Sequence, residues 1–178
     1  LFYLPLMGSV FKKLYYHAGH GRITAECIPM SDFYVSNFAQ SLRTADRYTH
    51  RFYRTEAQLE ADVVAGLYVD ADLCSRSVRT LSKLSELSWK LTGSQPLGGS
   101  RDEVYTLLEQ HRYLALAGDD PNAPPAPYVV TVEKDSKKVL SIQRLWREGD
   151  PLRRKIVYFT HYRYVPGFGF YGLGLLHF

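Results

Sequence analysis

The sequence predicts an α+β fold built mostly of antiparallel strands and hairpins, with two short amphipathic helices. Three observations lead there. Runs of β-branched and aromatic residues with period-two alternation recur along the chain, bounded by Gly, Pro and Asp clusters. Thr55-Glu56-Ala57-Gln58 has the residues of a helix capping box. Strand-like and helix-like segments mix without a strand–helix–strand rhythm, which argues against a doubly wound parallel sheet.

In chain order, Val10 to Tyr16 is aromatic and β-prone, Gly19-His20-Gly21 supplies a turn that tolerates positive φ, and Arg22 to Ile28 alternates on the return until Pro29 ends it. Asp32 to Val35 reads as a short extended piece and Tyr48 to Arg54 as another strand. After the capping box, Leu59, Val63, Val64 and Leu67 read as one helical face, with Gly66 at the helix end. Val78, Leu81, Leu84, Leu87 and Leu91 recur at helix-like spacing and predict the second helix. Thr92 to Arg101 is a linker, Glu103 to Leu116 a strand, and the Pro- and Asp-rich stretch Gly118 to Pro127 a loop. Ala126 to Val132 and Val139 to Ile142 form a hairpin over a polar turn. Trp146 to Pro151 leads into a third, basic strand with Arg153, Arg154 and Lys155, and then into the Gly/aromatic segment Val165 to Gly174. These boundaries divide the 178 residues into three stretches of one domain: a hairpin, strand and helix over 1–72, a helix and linker over 73–101, and a β-rich part over 102–178. The opening Leu1-Phe2-Tyr3 without Met, and a close on Leu173, Leu175 and Leu176, suggest the interior of a longer polypeptide with a helix beginning near its end.

Hydrophobic content of 46% and charged content of 22% suit a folded protein with a real core. The 14 tyrosines suit half-wet sheets and interfaces, where a ring packs while its hydroxyl finds a partner. A net charge of +4 and a pI near 9.0 favour contact with polyanions. No apolar run approaches the roughly 20 residues that span a bilayer. Cys27 and Cys74 make neither a disulfide framework nor a zinc site, and a reducing compartment is the simpler setting.

Site chemistry is sparse. Gly167-Phe168-Gly169-Phe170-Tyr171-Gly172 matches the dinucleotide pattern G-x-G-x-x-G, but Pro166 sits at the join and aromatics fill the variable positions. Gly167, Gly169, Gly172 and Gly174 with Pro166 therefore read as a hinge where chain packs closely on chain. His17, His20 and Cys27 lack the fourth ligand of a closed zinc site, Asp70-Ala71-Asp72 lacks converging acids, and Asp119 and Asp120 sit in a loop. These residues predict no metal, no cofactor and no catalytic residue. Arg153, Arg154 and Lys155, interleaved with Tyr158, Tyr162 and Tyr164, are candidates for weak contacts with DNA or with a neighbouring subunit.

The order of segments adds a resemblance. Leu4 to Lys13, Ile28 to Phe33, Arg47 to His50, Ala65 to Tyr68, Pro127 to Val132 with Val139 to Ile142, Trp146 to Glu148, and His161 to His177 together resemble the portal, or head-to-tail connector, proteins of tailed bacteriophages, in the branch related to the short-tailed-phage portals. The resemblance implies the wing-like region of a subunit that forms a ring, usually of twelve, at one capsid vertex. It implies identical subunits, a terminase motor, capsid and tail-adaptor proteins as partners. Double-stranded DNA would pass through without sequence preference. The setting would be the virion, and the host cytoplasm during assembly, with no membrane and no catalysis. A basic, tyrosine-rich nucleic-acid-binding module is the alternative from the residues themselves. A small nucleotide-binding enzyme resting on Gly167 to Gly172 is a weaker third reading.

Overall fold

A computed structural model describes residues 3–17, 21–70, 77–78, 103–116, 124–167 and 169–177. The protein is an α+β fold of mostly antiparallel strands in two sheets with two short helices. The elements are α1 (Tyr3–Met7), β1 (Ser9–His17), β2 (Arg22–Pro29), β3 (Phe33–Val35), β4 (Arg47–Arg54), α2 (Glu56–Val64), β5 (Ser77–Val78), β6 (Glu103–Leu114), β7 (Ala126–Glu133), β8 (Val139–Arg144) and β9 (Phe159–Arg163). One sheet runs β2-β1-β9; the other runs β3-β4-β6-β7-β8, with β5 paired to β6. The chain forms two compact units, Leu1–Arg51 with Glu109–Val130 and Ile142–Phe178, and Phe52–Leu108 with Thr131–Ser141.

In the first unit β1 is the central strand of its sheet. It pairs antiparallel with β2 from Val10↔Pro29 to His17↔Arg22, and with β9 from Ser9↔Arg163 to Lys13↔Phe159. Period-two alternation turns Phe11, with its cross-strand neighbours Ile28 and His161, to one face. There Phe11 stacks on Phe33 at 4.0 Å, Phe33 lies 5.0 Å from Phe159, and Tyr48 meets Phe159 edge-on at 5.6 Å. Ring pairs of this kind contribute about 1 kcal/mol each beyond area burial. Ala39, Leu42, Ala45 and Phe170 complete this core.

In the second unit Thr55 caps α2 as the sequence predicts: its hydroxyl accepts from the Gln58 N–H, and the Gln58 side chain accepts from the Thr55 N–H. Gly66 (φ +73) ends the helix in a Schellman arrangement, with Gly66 N–H donating to Val63 O and Leu67 N–H to Asp62 O. Leu59 packs with Tyr105, Leu107 and Leu140. The single apolar helical face does not form. Val64 is 88% exposed, because at 100° per residue it falls about 140° round the helix from Leu59. Leu67, beyond the last helical residue, is exposed too. The predicted helix from Val78 to Leu91 lies outside the described residues except for Val78, which is in β5. The other described helix is α1, a single turn closed by Gly8 N–H donating to Leu4 O and by the positive φ of Gly8.

Candidate functional site

The basic segment is not a strand. Residues 153–158 precede β9 as irregular chain, and the reason is local. The Asp150 carboxylate accepts from the backbone N–H of Leu152 (3.1 Å) and of Arg154 (3.2 Å), and pairs with the Arg154 guanidinium at 2.9 Å. This carboxylate-centred turn leaves Arg153 at φ +47, left-handed backbone that costs a non-glycine residue about 1 kcal/mol. The hydrogen bonds to Arg154 hold the Asp150 carboxyl below its ordinary range. Ile156 N–H donates to Leu145 O and brings the segment back toward β8.

The consequence is a groove of about 780 Å³ within the first unit. Arg43, Arg153, Arg154 and Lys155 line it together with Tyr113 and a proline wall that includes Pro125 and Pro151. Among the described lining residues none is acidic. Trp146 stacks edge-on against Tyr128 at 5.1 Å and carries the Arg153 guanidinium 5.6 Å from its ring centre. Lys155 donates to Ala45 O at 2.9 Å, and its ammonium lies 4.5 Å from the Tyr48 ring centre. Burial pulls its pKa down, an effect that Asp46 partly offsets. An anion in the groove would relieve that cost. The groove therefore joins Arg153, Arg154 and Lys155, and adds Arg43 and Tyr113, which sequence reading did not single out. No local signal connects Arg43 to Arg153; only the fold does.

The Gly/aromatic segment meets the start of the chain. Val165 and Leu173 form an antiparallel bridge, and Tyr164 N–H donates to Gly8 O. A Cβ on Gly172 would collide with the Gly8 carbonyl oxygen and meet Val165 O at 3.0 Å; one on Gly174 would collide with Leu6 O. Gly8 is equally hemmed in by the backbone of Gly172 to Gly174. A Cβ on Gly167 would press on the Leu173 side chain at 3.3 Å, a tight contact, whereas Gly169 faces open space, so close packing does not extend to it. Pro166 sits exposed at the join. The contact is chain on chain: the Gly172 N–H donates to Ser9 Oγ at 2.8 Å.

Ser9 also lies 3.0 Å from His161 Nε2, a serine–histidine pair invisible in the sequence. His161 is sandwiched between Phe11 (4.5 Å) and Phe170 (4.6 Å), and burial, with Arg163 nearby, lowers its pKa to about 4. Ser9 is 0% exposed, so no substrate reaches its oxygen, and the pair acts as a brace.

A second buried group lies in the same unit. Lys13 pairs with Glu109 at 2.5 Å and His111 Nε2 with Glu109 at 2.8 Å. His111, whose pKa burial lowers, is neutral and donates Nε2–H to the carboxylate, which leaves Nδ1 buried without a hydrogen-bond partner among the described residues.

Among the described residues no three His, Cys, Asp or Glu side chains converge as a metal site. His20, Asp72, Asp119 and Asp120 lie outside the described residues, and Cys27 is an exposed free thiol on β2. No described helix is long and apolar enough to cross a membrane. No protein-family model matches the chain, and no curated protein matches it.

Proposed function

We propose that the chain is a structural subunit of a tailed-phage portal ring, part of the assembly through which DNA enters and leaves the capsid. The observation that carries this reading is the apolar surface of the first unit. Phe38 is 98% exposed, Ile23 and Leu152 75%, and Tyr16, Tyr162 and Tyr164 are exposed as well. A subunit buried by neighbours on several sides carries such side chains at its surface. The resemblance supports it further. Leu4 to Lys13, Ile28 to Phe33, Arg47 to His50 and His161 to His177, far apart in sequence, all contribute to one aromatic core and one glycine closure. On this reading the ring partners are identical subunits, and terminase, capsid and tail-adaptor proteins dock around them at the virion vertex. Catalysis, cofactor and metal have no part in it. Electron microscopy and light scattering on the chain test it. Closed cyclic rings are expected, because head-to-tail contacts close when the rotation allows. A species that stays monomeric over a wide concentration range, with capsid and terminase partners present, overturns it.

The basic groove favours a second reading, a nucleic-acid-binding module without catalytic activity. Its four cations beside Tyr113 suit a phosphate backbone with a base on an aromatic ring. Salt titration of DNA binding separates the two, since a module that neutralises several phosphates loses orders of magnitude in affinity as salt rises.

A further inference from the structure

We infer that the free edge of β2 is a docking edge for a second copy of this chain, paired antiparallel about Thr24. Among the described residues, strand β2 pairs with β1 on one side and with no strand on the other. Such an edge presents unpaired N–H and C=O groups that template another strand. Along it Arg22, Ile23, Ala25, Glu26 and Cys27 are all exposed. No lysine guards it, and its proline sits only at the final position, Pro29.

Charge decides which strand fits. Arg22 and Glu26 lie four residues apart, on one face of the strand, too far from each other to pair. Among the described residues neither has an ion-pair partner. Lys13 stands opposite Glu26 in the β1–β2 register, but its ammonium is committed to Glu109. An antiparallel copy centred on Thr24 sets Arg22 opposite the second copy's Glu26, and Glu26 opposite the second copy's Arg22. Both unsatisfied charges are met at once, in two symmetric cross-strand pairs. The same register opposes Thr24 to itself, a favourable cross-strand pair, and lays the exposed Ile23 against Ala25 of the other copy. Moving the centre by one residue in either direction breaks both charge pairs. The contact is isologous, related by a two-fold axis. It is thus separate from any head-to-tail ring contact, and it does not depend on the portal reading.

Sedimentation equilibrium on the chain as it stands, with circular dichroism to confirm folding, tests this. A dimer is expected. Arg22→Glu and Glu26→Arg should each raise the dimer dissociation constant about tenfold, since each reversal replaces two attractive pairs with two repulsive ones. Arg22→Glu combined with Glu26→Arg should restore it. With Cys27 and Cys74 replaced by Ser, Thr24→Cys should oxidise to a covalent dimer. A chain that is monomeric at high concentration overturns the proposal. So does a dimer that ignores both single reversals, or a double reversal that fails to recover.

Discussion

Glu109 carries its charge inside the first unit between the ammonium of Lys13 and the imidazole of His111. Burial alone would push this carboxyl up, but the His111 hydrogen bond and the Lys13 charge more than reverse that and hold it at about 2. Glu109→Gln keeps the shape and strands the Lys13 charge, so it should cost about 3 kcal/mol in urea unfolding. The pH profile follows from the same groups. The folded pKa of His161, about 4, lies below its ordinary 6.5, so the unfolded chain binds more protons between those values. Stability from this group is full above about pH 6.5 and is lost as the pH falls through about 4. His111 acts in the same direction. Glu109 opens a second acid window, from about 4.5 down to about 2. Unfolding midpoints measured against pH should show both, and His161→Gln should shrink the upper one. The glycines divide sharply at this scale. Gly172→Ala and Gly174→Ala should each cost about 2 kcal/mol or more, because the obstructing atoms are backbone and cannot yield. Gly169→Ala, with nothing within 4 Å of its would-be Cβ, should stay within about 0.5 kcal/mol.

Strands and caps were the legible elements. β-prone residue content, with alternation in β2, located β1, β2, β4 and β6 to within a few residues, and the capping box located α2, because hydrogen bonds and strand propensity act over a few residues of chain. Thr55→Ala should accordingly cost about 1 kcal/mol in thermal unfolding. Helix burial was less legible: apolar residues near 3.6 spacing were present at Val64 and Leu67, but α2 is only nine residues long and buries Leu59 alone. The basic segment misled for a different reason. Its Tyr and Val content suits a strand, yet the side chain of Asp150 claims the backbone N–H groups of Leu152 and Arg154 before a ladder can. The β7–β8 hairpin shows a similar device, with the Glu133 carboxylate accepting from the N–H groups of Asp135 and Ser136. At the hairpin tip Lys137 sits at φ 58. Lys137→Gly should stabilise the chain by about 1 kcal/mol, the left-handed cost removed, as read by denaturant midpoint.

The candidate groove was half legible in the same sense. Arg153, Arg154 and Lys155 are adjacent in sequence, but Arg43 joins them across more than a hundred residues, through a core that no local pattern encodes. Rich in cations, the groove should give weak DNA binding without sequence preference. Fluorescence anisotropy at rising salt should show affinity falling steeply, and Arg43→Ala combined with Arg153→Ala should reduce the slope by about two. Tight sequence-specific binding at physiological salt, about 10⁻⁸ M or better, would instead favour the nucleic-acid module.

The closure of Gly172 on Ser9 spans 163 residues, and the Ser9–His161 bond spans 152. On a ribosome adding roughly 5–20 residues per second, Ser9 waits roughly 8–30 s for its partners to be made. Through that interval β1 can fold back with β2, but the edge that β9 will occupy stays open, with Phe11 uncovered beside it. The nascent chain is thus most exposed to misassociation before residues 159–178 emerge. Synthesis that stalls late should leave an aggregation-prone species in which the first unit has not closed.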